Sequence, residues 1–170
     1  MTQRPLRRYG DPVLRMTCAP VTAFDDSLAR LVGDLMDTVD QPGRAGLAAP
    51  QIGVPLRVFS YLVDDRHGHV VNPEIVALSD AQQDGEEGCL SIPGLWYPLR
   101  RAAVATVRGV NAAGDPVEVT GDGLLARCLQ HEVDHLDGVV YLDRLGRLRR
   151  RRALRDLRDT DWFLHPSGVR

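Results

Sequence analysis

Lysine is absent from this chain: all 21 basic residues are arginine. The bias excludes nothing by itself, and no mechanism follows from it. Cysteine is scarce, and Cys18, Cys89 and Cys128 are odd in number and widely spaced. That argues against a disulfide framework and for reduced thiols, as in the cytoplasm. No apolar run approaches the ~20 residues that a membrane-crossing helix needs. The stretch from Met1 to Tyr9 is rich in arginine and lacks an apolar core, so no signal peptide is expected there. Net charge is lacking too: a formal -2 sets up no global field toward DNA or a membrane. What the chain does have is 170 residues, 44% of them hydrophobic. That is enough for a single domain over 1–170 with a real core.

Periodicity and turn residues place the elements. Tyr9-Gly10-Asp11-Pro12 reads as a turn. Leu28, Leu31, Val32, Leu35, Met36 and Val39 recur at steps of three and four, which predicts a helix with one apolar stripe. Asp25 or Asp26 can cap its start, and Pro42-Gly43 ends it. Residues 46–53 form a loop of small residues. Strands are expected over 57–63 and 70–76, split by a polar turn at 64–68. The acidic stretch 80–88 reads as a loop, and Pro93, Gly94 and Pro98 break the segment after it. Short strands at 104–110 and 116–119 flank a hairpin turn at 111–115. A second helix fits 122–136, with Leu125, Cys128, Leu129 and Leu136 apolar and Gly138 closing it. A third, very basic helix fits 147–158, with Leu148, Leu154 and Leu157 as its apolar face, inside a basic segment that starts at about residue 146. Short strands followed by helices make an α+β domain.

The sharpest local pattern is His131-Glu132-Val133-Asp134-His135. Two histidines four apart share one helix face, so both imidazoles can reach one metal ion. Glu132 between them is placed to take a proton from water at that ion. The bland alternative is a solvated helix that happens to carry two histidines. A catalytic metal commonly takes three protein ligands, and the candidates for the third are Cys89, Cys128 and the carboxylates. Cys128, one turn before His131, reads by itself as a small core residue, and Cys18 reads as structural. Cys89 differs: a cysteine after a glycine in a polar stretch is poorly explained by packing, and its thiolate could reach a metal across the fold.

Three stretches together resemble the peptide deformylase family. They are Gly46-Leu47-Ala48-Ala49-Pro50-Gln51-Ile52-Gly53, then Glu87-Gly88-Cys89-Leu90-Ser91, then Gln130-His131-Glu132-Val133-Asp134-His135-Leu136. They occur in the family's order and spacing. The resemblance runs over roughly residues 5 to 145, including Tyr9-Gly10-Asp11-Pro12-Val13-Leu14 and the stretch from Gly138 to Leu145. It implies small antiparallel sheets packed around a central metal-binding helix. It implies removal of the formyl group from N-formylmethionyl nascent peptides. Cys89, His131 and His135 would hold the metal and Glu132 would act as general base and acid. Gln51 and the backbone N–H of Leu90 would stabilise the oxyanion. Gly46 and Ala45 would pair with the substrate backbone, and Trp96, Leu124, Arg127 and Cys128 would border the methionine pocket. One thiolate and two imidazoles suit zinc, iron, cobalt or nickel; the resemblance favours ferrous iron in the cell, with Zn2+, Ni2+ or Co2+ able to take the site.

The chain departs from the family's pattern at Arg44, where a glycine usually stands two places before Gly46. Glycine permits backbone shapes that arginine resists, so either the loop differs or Arg44 takes a compatible shape and points to solvent. Trp96 is read equally well as packing. Glu87 and Arg101 resemble a family ion pair that braces the cysteine loop, against the plainer reading of two exposed charges. The run from Arg149 to Arg152 could touch ribosomal RNA, though a solvated basic helix face is the more common explanation. Two other classes compete: a metallopeptidase sharing His-Glu-x-x-His, which the cysteine motif opposes, and a ribosome-associated protein without activity, which Glu132 and the three ligands oppose.

Overall fold

A computed structural model describes residues 3–164. Met1 and Thr2 of the arginine-rich start, and residues 165–170 of the basic C-terminal segment, lie outside it. Helix α1 (Asp26–Val39) begins where the Asp25 carboxylate accepts the backbone N–H groups of Ser27 and Leu28, two donors that the helix itself cannot satisfy. Its stripe of Leu28, Leu31, Val32, Leu35 and Val39 is buried, each side chain contributing about 1.5–3 kcal/mol of transfer free energy. The chain then runs through β1 (Gly46–Ala48), a 3-10 turn at Ala49–Ile52, β2 (Val58–Val63) and β3 (Arg66–Leu78). Strand β3 starts earlier than the alternation predicts. A two-residue turn at Asp64 and Asp65, with Asp64 at φ 52, lets residues 66–69 pair with β2 through the backbone alone. Aspartate tolerates that left-handed shape.

Stretches read as loop and breakers also form strands. Short β4 (Gln82–Gln83) and β5 (Glu86–Cys89) lie in the acidic stretch, and β6 (Ile92–Pro98) contains both prolines. Among the described residues β6 pairs with β5 alone, so a proline's missing N–H can face outward. No apolar alternation marks β5 because its buried member before Cys89 is charged: Glu87 is 3% exposed. After β7 (Arg101–Ala102), the hairpin of β8 (Val104–Val110) and β9 (Pro116–Asp122) leads directly into helix α2 (Gly123–Leu136). Helices α3 (Tyr141–Arg144), α4 (Arg147–Arg158) and α5 (Asp161–Leu164) follow. In α4 the buried members are Ala153 and Leu157, while Leu148 is 80% exposed. At ~100° per residue, Leu148 falls half a turn away from Leu157, which removes it from the expected face.

The main sheet has the order β1-β2-β3-β8-β9, antiparallel throughout. Both of its faces are covered. Phe59, Tyr61 and Val63 of β2 pack with Leu125, Leu129, Val133 and Leu136 of α2, whereas Val58 packs with Val71 and α1. Successive side chains of a strand point to opposite faces, so burial on both sides gives the near-continuous apolar run of β2. A third core joins Cys89, Ile92 and Leu99 to Tyr141, Leu142, Ala153 and Leu157. Helix α2 thus lies between the large sheet and the β5–β6 ribbon, and every residue from Leu125 to Leu136 is buried. Small antiparallel sheets around a central helix are the architecture expected.

Candidate active site and metal centre

The i and i+4 spacing on α2 sets the two imidazoles edge to face, with ring centroids 4.9 Å apart. Strand β5 ends at Cys89 and brings its Sγ to 3.2 Å from His135 Nε2. The ligand atoms of Cys89, His131 and His135 all lie within 4.8 Å of one another. One soft thiolate and two imidazoles converging at that range fit a transition metal or zinc. Cys128 is engaged elsewhere, its Sγ donating to the Ala45 carbonyl at 3.2 Å. Cys18 packs in the core below α2, and burial pushes its thiol up to about 11.

Behind the three candidate ligands lies a buried chain of charge. His131 Nδ1 meets Glu87 Oε1 at 2.8 Å, which leaves its other nitrogen to face Cys89. Arg101 grips Glu87 with two bonds, at 2.7 and 3.0 Å, and reaches Asp134 at 2.8 Å. Arg127 adds a bond to Glu87 at 2.9 Å, and Arg144 closes the chain on Asp134 at 2.6 Å. Burial would push the Glu87 carboxyl up, but the bonds from His131 and Arg101 outweigh it and hold the group well below the usual carboxylate range. The reading of Glu87 and Arg101 as exposed charges is thereby excluded: they are 3% and 7% exposed. Such outer partners fix a ligating histidine's tautomer and orientation.

Glu132 lies on the cavity side of α2 and is 3% exposed. Its Oε2 is buried with no partner among the described residues, an acceptor left for whatever enters. Burial pushes its carboxyl up to about 7; Glu87 and Asp134 add to the rise and His131 opposes it. Gln51, 1% exposed, is no solvent-facing amide. Its Oε1 accepts the Ala48 N–H at 2.8 Å, while its Nε2 lies 3.3 Å from Ser91 Oγ and 3.6 Å from Cys89 Sγ. At Gly46 an added Cβ would sit 2.5 Å from Glu132 Oε1 and 2.6 Å from Cys128 Sγ. Only glycine allows β1 that close to the helix.

These groups open on a cavity of about 980 Å3, at the upper end of the range for small-ligand sites. Ala45, Gly46, Gln51, Cys89, Leu90, Trp96, Leu124, Arg127, Cys128, His131 and Glu132 border it. His135 stands behind them. Trp96 and Leu124 are 59% and 56% exposed at the rim, and the Trp96 ring lies against Gly88, one residue from Cys89. Arg127 does double service, since its guanidinium also binds Glu87 and the Leu99 carbonyl. Arg44 does not point freely outward: it is half-buried and donates to the Thr38 carbonyl at the end of α1, while Gly43 takes the left-handed shape at φ 80. Sequence reasoning missed the N-terminal segment. Arg7 N–H donates to the Gln51 carbonyl at 2.7 Å and Tyr9 N–H to the Ser91 carbonyl at 2.8 Å, joining the two loops. Backbone bonds of that kind leave no side-chain signal.

A family model described as polypeptide deformylase matches residues 3–151. The chain is 55% identical over 162 residues to a peptide deformylase of Acidothermus cellulolyticus, covering 95% of this chain and 89% of that one. It is 51% identical over 168 residues to a peptide deformylase of Parafrankia sp., covering 98% and 92%. The crystal structure of a peptide deformylase from Legionella pneumophila superposes with a TM-score of 0.87 at 40% identity, over 99% of each chain.

Proposed function

With the chain a member of the polypeptide deformylase family, and so a hydrolase that removes the formyl group from N-terminal formyl-methionine, we propose how its residues divide that work. The family depends on a metal, and Cys89, His131 and His135 form a group able to take one. We assign the metal to those three, as ferrous iron in the cell, with zinc, nickel or cobalt as substitutes. The donor set and the family resemblance support that choice. A bound divalent ion supplies Lewis acidity to the formyl oxygen and makes water a better nucleophile near neutral pH.

The chain's own residues carry the rest. The methionine side chain enters the cavity beside Cys128, Arg127, Leu124 and Trp96, and the backbone of Ala45 and Gly46 aligns the peptide. Attack on the formyl carbon places charge on its oxygen, and Gln51 Nε2 with the Leu90 N–H donates to it. Donors preset in a dry site gain most when that charge develops. Glu132 takes the proton from the attacking water and returns it to the leaving amine, a task suited to a carboxyl near 7. The unpartnered Glu132 Oε2, buried on a residue that borders the same cavity as Cys89 and His131, is the observation that carries this reading.

The substrate is the formylated nascent chain. Contact between α4 and ribosomal RNA is the lesser reading, since Arg150 pairs with Asp143 and Arg149 donates to the Pro98 carbonyl. Among the described residues no helix is long and apolar enough to cross a membrane. We place the enzyme in the cytoplasm, where new chains arise and free thiols persist. The test is metal analysis of protein prepared without oxygen, beside turnover of formyl-Met-Ala-Ser. Cys89→Ala is expected to strip the metal and abolish turnover. Full metal and full activity in that variant would overturn the ligand assignment.

A further inference from the structure

We infer that Arg8, held over the Trp162 ring, is a specificity-determining residue that reads an acidic side chain downstream of the formyl-methionine. The inference rests on the deformylase reading and extends it to the rest of the peptide. Arg8 is exposed and borders the cavity. Among the described residues its guanidinium has no acidic partner. Of the other cations that border the cavity, Arg4 pairs with Asp34 at 2.8 Å, Arg44 donates to the Thr38 carbonyl, and Arg127 lies buried against Glu87 and the Leu99 carbonyl.

Arg8 is held by Trp162 and by the pinned backbone around it. Its guanidinium carbon lies 5.6 Å from the centroid of the Trp162 ring. The Trp162 indole N–H donates to the Pro93 carbonyl at 3.1 Å, which ties the ring to a residue of the cavity wall. The backbone on either side is pinned, with Arg7 N–H on the Gln51 carbonyl and Tyr9 N–H on the Ser91 carbonyl. A guanidinium held over an aromatic face keeps N–H groups free for a carboxylate and loses less freedom on binding one. Asp64 and Glu86 border the same cavity from the β2–β3 turn and the start of β5. A peptide carboxylate is therefore favoured beside Arg8 and disfavoured beside Asp64 and Glu86, which ties the preference to position along the peptide. Trp162 is a positioning residue, since it acts through Arg8.

The test compares formyl-Met tripeptides and tetrapeptides that carry Glu or Lys at the second, third or fourth position. At one of these positions kcat/KM is expected to favour Glu by about three- to fivefold, the scale of an exposed ion pair. The contrast should reside in KM and shrink with added salt. Arg8→Ala should bring the ratio to about one and Arg8→Glu should invert it. Trp162→Ala should erase it as well, while Trp162→Phe, which keeps a ring under Arg8, should retain it. A fold defect alone would lower both rates and leave the ratio standing. A wild-type ratio of one at every position, or a ratio untouched by Arg8→Ala, overturns the inference. A ratio that survives Trp162→Ala removes Trp162 from it. If no formyl peptide is cleaved, the deformylase reading fails instead, and the Glu–Lys contrast is then read from the peptides' affinities.

Discussion

Helix α2 has two faces, and both are buried. One carries Leu125, Leu129, Val133 and Leu136 against the sheet. The rest carries His131 and Glu132 toward the cavity, His135 toward Cys89, and Gln130 and Asp134 toward β7. Leu129 and His135 are equally hidden, at 0% exposed. What differs is the consequence. Apolar burial is favourable at roughly 25 cal/mol per Å2, whereas polar burial is unfavourable unless each group finds a partner. Gln130 finds Ala102 and Ala126, His131 finds Glu87, and Asp134 finds Arg101 and Arg144. Glu132 Oε2 and His135 Nδ1 find none. A buried polar helix face that is satisfied nearly everywhere marks a site, and the unsatisfied Glu132 Oε2 on the cavity wall marks where something else binds, whereas His135 Nδ1 is the nitrogen turned away from Cys89.

Breaking one face at a time separates the two roles. Leu129→Ala on the sheet face removes a fully buried side chain and is expected to cost about 2–5 kcal/mol of stability. A denaturant melt reads that loss, and the folded fraction should keep its metal and its turnover number. On the other face, Glu132→Gln keeps the shape and loses the proton acceptor. Turnover of formyl-Met-Ala-Ser is expected to fall ~100-fold or more, with metal content and melting near those of the wild type. Should Glu132→Gln melt early and turn over normally, the distinction between the faces fails.

The sheet face was legible because its residues obey the helical period. The same holds for α1, and the expected bounds 147–158 are those of α4. The site face was legible for another reason: three motifs carry residue types that packing alone does not call for. What stayed hidden had no side-chain signature. Strands β5 and β6 pair Glu86 with Pro98, Glu87 with Tyr97 and Gly88 with Trp96, and their charged, glycine and proline members led composition to read loop and breakers. The burial of Glu87 depends on Arg101 and Arg127 arriving from distant segments. Leu148 was lost because a leucine in a basic helix was assumed to face inward. The N-terminal clasp on Gln51 and Ser91 uses only backbone atoms.

Gln51 tests whether the division also holds across the cavity, because its two ends touch different things. Its Oε1 props the loop through Ala48 N–H, while its Nε2 faces Cys89 and Ser91. Gln51→Ala is expected to lower kcat on the order of 100-fold, and more than it raises KM, as loss of an oxyanion donor does. Gln51→Glu keeps an oxygen for Ala48 N–H but sets a carboxylate against the developing charge. It should hold the loop, melt below the wild type because the carboxylate is buried, and lose at least as much rate. If Gln51→Ala melts early yet turns over normally, the residue is a prop alone.

The smallest effect is expected where charge sits outside both faces, at Asp143 on α3. Its carboxylate meets Arg15 and Arg150 and accepts the Val140 N–H at 3.1 Å. Burial would push its pKa up, but the bonds from Arg15 and Val140 prevail and hold it below the ordinary value. A folded pKa below the unfolded ~3.9 means stability that is present above pH ~4 and lost as pH falls through the folded value. The group is partly exposed, with side-chain accessibility of 23%, so screening limits the effect to under about 1 kcal/mol. Asp143→Asn keeps an oxygen for Val140 N–H and removes only the charge. At pH 7 it should melt slightly below the wild type, and the gap should close as pH falls toward 3. Loss of bound metal in acid would affect both proteins alike, so the difference between their melts isolates the carboxylate. A gap that stays constant from pH 7 to 3 would assign the loss to packing or geometry, and the charge at Asp143 would then contribute nothing.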